Sequence, residues 1–212
     1  KSTNYKISNR GNIGVNLTII GTGENIGGLF GYSGFIINSS IKDSYIEATN
    51  VNATSVGGMV GETNQHATTN EINNIEINSV ARNVGSFSGK LGGTAFCNNL
   101  TITNSKIKGT ENVGGFVGTQ GASQIDRSYA EVEVVGTNNV GGMIGKLTNN
   151  NMTAVSNTSY IFKNYIANSD ITGNKNIGGI IGNIESDLYM PEKFYYSNYV
   201  EADLSSKDLN SI

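Results

Sequence analysis

Pairs of apolar residues framed by glycines recur along the chain. The pentapeptide Gly-Gly-apolar-apolar-Gly appears as GGLFG, GGMVG, GGFVG, GGMIG and GGIIG, with one degenerate copy, GSFSG. The copies begin at Gly27, Gly57, Gly85, Gly114, Gly141 and Gly178, so successive steps are 30, 28, 29, 27 and 37 residues. This spacing predicts a repeat architecture with one insertion. The glycines assigned to the repeat are Gly27, Gly28, Gly31, Gly57, Gly58, Gly61, Gly114, Gly115, Gly118, Gly141, Gly142, Gly145, Gly178, Gly179 and Gly182.

Two more columns precede each pentapeptide. The residue before the first glycine is always β-branched, and the residue before that is Ser55 in one copy and asparagine in the others. Turns such as GTEN separate these columns from an upstream apolar residue, so each unit predicts strand, turn, strand. We expect Ile107, Val113 and Phe116 in the interior and Lys108 on the surface. The asparagine column comprises Asn25, Asn83, Asn112, Asn139 and Asn176.

A second strand with alternating apolar residues lies about half a period away. It reads IKDSYIEA, INNIEINS, NLTITNSKI, IDRSYAEVEV and FKNYIANSDI in successive units. One buried face per strand is the usual cause of such alternation. The segment YYSNYVEADL, from Tyr195, predicts the start of another coil. In this alignment Tyr45, Tyr129 and Tyr165 are equivalent.

A unit of two or three short strands cannot bury its apolar face alone, so it must stack on its neighbours. The predicted fold class is all-β, a right-handed parallel β-helix of six to seven coils with a period of about 29 residues. Residues 1–212 are interpreted as one solenoid domain that is a fragment of a larger protein. The glycines are expected to supply positive φ at a corner or to let coils approach without a Cβ. The asparagines are expected to tolerate the left-handed conformation and to form a side-chain ladder.

Charge and composition argue against several classes of partner and structural feature. The net charge is −3, from 14 basic and 17 acidic residues, and the basic residues are scattered. A surface that binds the phosphates of nucleic acid is therefore not predicted. The sequence has no run of 18 apolar residues, so it predicts no membrane-spanning helix. Cys97 is the single cysteine and cannot form an internal disulfide.

The pentapeptide resembles the GLUG motif. Its alternation with strands of the I-x-D-S-Y type, at 41–46 and 125–130, resembles the repeat region of the streptococcal immunoglobulin A1 protease family of zinc metallopeptidases. The resemblance covers about Leu17 to Leu204. It implies a non-catalytic part of a large secreted, cell-wall-associated bacterial protease, upstream of its zinc domain. GLUG repeats also occur in other bacterial surface proteins.

Catalytic chemistry has few candidates in this sequence. A His-Glu-x-x-His zinc site needs two imidazoles, whereas His66 is the single histidine and is interpreted as an exposed loop residue. Ser88 stands in an apolar column and not in a nucleophile elbow. We therefore predict no enzymatic activity for the fragment and no catalytic residue, metal or cofactor in it. The carboxylates weighed for glycosidase chemistry, and interpreted as solvated strand positions, are Glu47, Glu76, Glu131, Glu133 and Asp170.

Segments without repeat character follow the pentapeptides at 62–70, 90–98, 119–124, 146–159 and 183–193. Their constant offset predicts that they project from one edge of the solenoid and form a binding edge. Aromatic side chains are a second candidate surface, because they anchor protein partners. The C-terminal tyrosines are expected to contact another domain of the same polypeptide. The residues singled out for interaction are His66, Tyr160, Tyr189, Tyr195, Tyr196 and Tyr199.

Three functional hypotheses remain open at this point. The first is a scaffold that positions a protease domain or helps to recognise a host protein such as immunoglobulin A. The second is the stalk or ligand-binding repeat domain of a surface adhesin. The third is a polysaccharide-active β-helix enzyme. The first two place the protein outside the bacterial cell, secreted or bound to the cell wall.

Overall fold

The computed structural model describes residues 8–93, 95–148, 160–185, 195–196 and 198–206. Within these residues all regular structure is β-strand, and the strands wind into a parallel β-solenoid. Six complete coils are followed by the first two strands of a seventh. The predicted all-β parallel β-helix is confirmed.

Each coil contributes strands in the same order. The first coil has β1 (Ser8–Arg10), β2 (Ile13–Val15), β3 (Thr18–Gly21), β4 (Asn25–Gly27) and β5 (Phe30–Ser33). The second has β6 (Phe35–Ile37), β7 (Ser40–Ala48), β8 (Ser55–Gly57) and β9 (Val60–Thr63), and the third has β10 (Ala67–Thr68), β11 (Glu71–Ser79), β12 (Asn83–Gly85) and β13 (Ser88–Leu91). The fourth has β14 (Phe96–Asn98), β15 (Thr101–Lys108), β16 (Asn112–Gly114) and β17 (Val117–Gln120), and the fifth has β18 (Gln124–Asp126), β19 (Tyr129–Val135), β20 (Asn138–Gly141) and β21 (Ile144–Leu147). The sixth has β22 (Tyr160–Phe162), β23 (Tyr165–Gly173), β24 (Lys175–Gly178) and β25 (Ile181–Ile184), and the seventh begins with β26 (Tyr195–Tyr196) and β27 (Tyr199–Ser206).

Equivalent strands of successive coils pair in parallel and form four sheets. Sheet A runs β1-β6-β10-β14-β18-β22-β26, and sheet B runs β2-β7-β11-β15-β19-β23-β27 with β3 also paired to β7. Sheet C runs from β4 to β24 and sheet D from β5 to β25, each with one strand per coil. The pairing keeps like residues opposite one another, since Ile72 lies between Ile41 and Ile102. The interior is therefore a set of stacked columns.

The sequence pattern did not predict sheet A. It predicted two or three strands per coil, whereas the second to sixth coils have four. The segments 62–70 and 90–98, interpreted as loops, contain the sheet A strands β10 and β14, and the segment 119–124 ends on the first residue of β18. Because these strands have two or three residues, they are too short to show alternation. All these segments do connect sheet D to sheet A. Residues 149–159 and 186–194, in the two longest segments, lie outside the described residues.

The predicted core columns lie in the interior. Val113 and Phe116 are fully buried and Ile107 is 1% exposed, whereas Lys108 is exposed. Ser88 is also fully buried in its apolar column, where its hydroxyl donates to the Lys90 carbonyl at 2.8 Å. A buried hydroxyl needs such a partner, because an unsatisfied one is costly.

Close backbone approach explains the pentapeptide glycines. The expectation of positive φ is wrong for them, since the two described glycines with positive φ lie outside the pentapeptides. A Cβ on Gly57 would lie 2.8 Å from the Phe87 carbonyl oxygen of the next coil. A Cβ on Gly61 in sheet D would lie 2.7 Å from the backbone nitrogen of Ile26 in sheet C of the preceding coil. Sheets C and D therefore pack backbone against backbone.

The asparagine column forms a ladder along sheet C. Each Nδ2 donates to the Oδ1 of the preceding coil, from Asn112 to Asn83 at 2.9 Å, from Asn139 to Asn112 at 2.8 Å and from Asn176 to Asn139 at 2.8 Å. Asn25 lies outside the ladder, because Ser55 occupies the column in the second coil. The left-handed conformation occurs at Asn139 and Asn176, and the expectation is wrong for the other three asparagines.

Two bends, one within sheet B and one between sheets A and B, share one local geometry. In the middle of β7, Asp43 has a φ of 50° and is followed by Ser44, whose hydroxyl donates to the Lys42 carbonyl at 2.7 Å. At the corner between sheets A and B, Arg127 has a φ of 47° and is followed by Ser128, whose hydroxyl donates two residues back at 2.9 Å. A polar side chain after a left-handed residue thus stabilises both bends.

This similarity overturns one sequence alignment. The two I-x-D-S-Y segments lie at different bends, since Ile41 stacks in sheet B whereas Ile125 belongs to sheet A. Tyr45 is consequently not equivalent to Tyr129 and Tyr165. It lies opposite Glu76 in another column of sheet B.

Candidate interaction face

The outward side of sheet B carries most of the acidic charge of the molecule. We call the outward side chains of β7, β11, β15, β19, β23 and β27 the acidic face. They include nine carboxylates and three ammonium groups, a net charge of −6, whereas the whole chain carries −3. The rest of the chain therefore carries +3. The carboxylates are Asp43, Glu47, Glu71, Glu76, Glu131, Glu133, Asp170, Glu201 and Asp203, and the ammonium groups are Lys42, Lys106 and Lys108.

A single column of charged residues runs down the middle of this face. In register it reads Tyr45, Glu76, Lys106, Glu133, Asp170 and Asp203. Lys106 Nζ lies 2.8 Å from Glu133 Oε2, so the two groups form a hydrogen-bonded ion pair. The hydrogen bond to Glu133 raises the pKa of the Lys106 ammonium group. Asp170 and Asp203 follow with no ion-pair partner among the described residues. Like charges on adjacent strands repel, so this end of the column favours a cationic neighbour.

The bends of sheet B form a shallow groove beside this column. Asp43, Asn74, Asn104 and Asn168 all have positive φ, near 50°, and follow one another along the sheet. The Asn74 amide donates to Asp43 Oδ1 at 2.8 Å. Two openings of about 430 Å³ lie along the groove, one in the first four coils and one between the fourth and sixth. Both are lined mainly by polar side chains.

The fifth coil is one residue shorter at this bend. The register between β15 and β19 shifts after Ile102, and Glu131 occupies the place of the left-handed residue. Its carboxylate accepts the Tyr129 hydroxyl at 2.6 Å and the Asn168 amide at 3.2 Å. The hydrogen bond to Glu131 raises the pKa of Tyr129 to about 12, and the same bond lowers the pKa of Glu131. The shorter coil thus holds a fixed carboxylate at the groove.

Three tyrosines stack at the start of the last three sheet B strands. The ring centroids of Tyr129 and Tyr165 are 5.6 Å apart with planes 7° apart, and those of Tyr165 and Tyr199 are 4.7 Å and 5° apart. Tyr165 is 38% exposed and Tyr199 is 52% exposed. We call these three residues the tyrosine stack. Because the rings cover one another, the stack presents ring edges and hydroxyl groups to solvent instead of ring faces.

The tyrosine stack overlaps the predicted interaction set at one residue. Of that set only Tyr199 belongs to it, while Tyr129 and Tyr165 were noted as strand positions. Tyr189 and the side chains of Tyr160, Tyr195 and Tyr196 lie outside the described residues. The stack could have been found in the sequence by aligning YAEV, YIAN and YVEA on their tyrosines.

His66 directly precedes β10 of sheet A and lies away from the acidic face. It is exposed, as expected, but it is held in place. Its Nδ1 accepts the backbone N–H of Phe96 at 3.0 Å, and its ring packs edge to face with Phe35 and Phe96. The imidazole therefore joins the third coil to the fourth.

The carboxylates weighed for glycosidase chemistry are distributed over three columns. Glu76, Glu133 and Asp170 share the charged column, Glu131 lies at the bend, and Glu47 lies opposite Asn78 in a third column. All five lie on outward strand positions. In the described part of the chain, no three His, Cys, Asp or Glu side chains form a group that could hold a metal ion. In the part of the chain that the structure describes, no helix is long and apolar enough to span a membrane.

Comparison with protein-family models, with curated proteins and with solved structures found no match to this chain.

Proposed function

We propose that this chain is a non-catalytic scaffold and interaction domain, and that the acidic face with its tyrosine stack is its recognition surface. The observation that carries the proposal is the separation of charge: a face with −6 on a chain with −3 in total. Charge gathered on one side steers an oppositely charged partner and orients its approach.

Each coil combines strictly repeated residues with variable ones, and the different positions of these two classes support this proposal. The residues that repeat strictly, the pentapeptide glycines and the ladder asparagines, make contacts between coils. Outward positions of sheet B do not repeat, since one column alone contains tyrosine, glutamate, lysine and aspartate. A solenoid that keeps its framework and varies one face is typical of repeat proteins that bind partners.

The parent protein that fits this domain best is a secreted or cell-wall-associated bacterial zinc metallopeptidase that resembles immunoglobulin A1 protease. This part of the proposal rests on the GLUG-like pentapeptides. The partners would then be other domains of the same polypeptide and a host protein such as immunoglobulin A. The fragment itself would contribute no cofactor and no catalytic group.

Two alternatives make different predictions for the acidic face: a polysaccharide-active enzyme, and a domain that binds its partners at the edge formed by the D-to-A connections. A polysaccharide-active enzyme for a polyanionic glycan is disfavoured, because nine carboxylates would repel that substrate. If partners bind at the edge formed by the D-to-A connections, changes on the acidic face would leave binding unchanged. The experiment below therefore separates the face from the edge.

A charge-matched pair of variants tests the proposal. The face variant carries Asp170→Asn, Glu201→Gln and Asp203→Asn, and the control carries Glu24→Gln, Glu62→Gln and Glu111→Gln, so each loses three negative charges. Immobilised immunoglobulin A and the remaining domains of the parent protein serve as probes. We expect the face variant to weaken binding at least tenfold and to reduce its dependence on salt, whereas the control binds like the parent. Equal binding by both variants would reject the acidic face as the recognition surface.

A further inference from the structure

The closest aromatic contact of the tyrosine stack joins the sixth coil to the seventh. Tyr165 and Tyr199 lie directly opposite each other on β23 and β27. Their ring centroids are 4.7 Å apart and their planes are nearly parallel. Both side chains are substantially exposed, so an oxidant in solution can reach the hydroxyls and the rings have room to slide.

Tyr129, the third ring of the stack, is held differently. Its hydroxyl donates to Glu131 at 2.6 Å, and its ring is 5.6 Å from that of Tyr165. This hydrogen bond fixes the phenol and keeps it protonated to higher pH than usual. Tyr165 and Tyr199 have no such carboxylate partner among the described residues. The reactive pair of the stack is therefore Tyr165 with Tyr199.

We propose that Tyr165 and Tyr199 form an oxidative modification site, at which a haem peroxidase with hydrogen peroxide joins the two rings as dityrosine. The rings are held in register by the β23–β27 pairing, so coupling is intramolecular and needs no diffusion of the two partners.

The reaction balances as a two-electron oxidation. Each phenol loses one electron to the peroxidase and one proton to solvent and becomes a phenoxyl radical. The two radicals form a carbon–carbon bond between the ring carbons next to the hydroxyls, and a proton shift from carbon to oxygen restores both aromatic rings. Hydrogen peroxide takes up the two electrons and two protons and is reduced to two water molecules.

The product would fasten the seventh coil to the sixth. In the described structure β27 pairs with β23 only, and its Leu204 is 51% exposed, so this coil has less support than the coils in the middle. A covalent bond between Tyr165 and Tyr199 would close a loop in the chain and limit opening of β27. The modification would thus stabilise the last coil that the structure describes.

The test oxidises the chain with a haem peroxidase and hydrogen peroxide at low protein concentration, followed by trypsin digestion and mass spectrometry. We expect a cross-linked product of peptides 164–175 and 194–207 that has lost two hydrogen atoms, with fragment ions placing the bond at Tyr165 and Tyr199. Dityrosine fluorescence should appear with the monomer and not with a dimer. Exchange of the β27 amides should slow after the reaction.

Controls separate proximity from simple exposure. Tyr165→Phe keeps a ring in the stack but leaves Tyr129 and Tyr199 two coils apart, so intramolecular dityrosine should fall at least tenfold. Tyr32→Phe should change nothing, although Tyr32 is 57% exposed, because no tyrosine ring is in contact with it among the described residues. In concentrated urea the preference for the Tyr165–Tyr199 pair should disappear. A folded chain that yields mainly intermolecular products, or mainly other tyrosine pairs, would overturn the proposal.

Discussion

Sheets C and D and sheet B belong to the same coils but are constrained by different atoms. In sheets C and D, backbone lies against backbone, as Gly61 and Ile26 show, and the available space is smaller than a methyl group. On the outer side of sheet B, side chains meet solvent and only their neighbours in the column. The sequence repeats strictly in the first region and varies in the second.

The comparison teaches that strict repetition marks contacts that every coil must make. A substitution in sheets C and D changes the stacking of two coils, whereas one on the acidic face changes only a local charge. The repeated residues therefore report the fold, and the variable ones report what the protein recognises.

Val113→Asp should have the largest effect. Val113 is fully buried in sheet C, and an unpaired carboxylate there should lower the free energy of unfolding by about 4 kcal/mol or more. Lys108→Ala, on the exposed side of sheet B, is the control and should change little. Thermal and urea unfolding of both variants measure the difference. Equal loss of stability in the two variants would contradict the assignment of the interior.

Gly118→Ala should come next. A Cβ at this last residue of the pentapeptide would lie 2.7 Å from the Asn83 carbonyl carbon and from the Gly89 oxygen, so the two sheets must move apart. We expect a loss of about 3 kcal/mol in the free energy of unfolding. Gly92→Ala is the matched control, because no atom lies within 4 Å of its Cβ position. If both alanines cost the same in urea unfolding, close approach is not the reason for the glycine.

Asn112→Ala should have a smaller effect. Asn112 is buried, donates to Asn83 and accepts from Asn139, so alanine leaves ladder amides without partners. The expected loss is about 2 kcal/mol. Asn73→Ala on sheet B removes a single bond, to the Thr103 hydroxyl at 2.6 Å, and should cost about 0.5 kcal/mol. A larger loss at Asn73 in denaturant melts would reverse the comparison between the sheets.

Tyr129→Phe should have the smallest effect, a slight loss of stability at neutral pH that disappears at alkaline pH, because the Tyr129–Glu131 bond lies on the surface. The bond to Glu131 raises the pKa of Tyr129 from 10.0 to about 12, so the folded state holds this proton more tightly than the unfolded state. The resulting stabilisation is fully present below pH 10 and is lost as pH rises towards about 12. Phenolate absorbance should show one fewer late-titrating tyrosine in the variant than in the parent. Identical titration curves would exclude the Tyr129–Glu131 bond.

The sequence predicted the fold because the columns are set by constraints that recur in every coil. Residues such as Val113 and Gly118 face the same neighbours in each unit, so their types repeat with the period of the coil. Sheet A was not predicted, because a strand as short as Ala67–Thr68 shows no alternation of apolar and polar residues. The two bends were confused with each other because their sequences are alike. Asp43-Ser44 and Arg127-Ser128 have the same local conformation but lie at different places in the coil.

The candidate interaction face was predicted only in fragments. Five of its nine carboxylates and the three stacked tyrosines were noted in the sequence, but their grouping depends on the register between coils. That register shifts by one residue at Glu131, which no repeat count reveals. Charge on one face is therefore a property of the stacked structure and not of any single unit.

The stacking of each coil on its neighbours alone determines how the molecule would respond to mechanical force. The hydrogen bonds between coils point along the solenoid axis, so a pull between the first and last described coils loads all interfaces in series, and an end coil, which is paired on one side only, detaches first. Coils would then peel off one after another, and each would release roughly 100 Å of extended chain. A protein built this way resists heat as one cooperative stack but lengthens under tension in steps, with the remaining coils still folded.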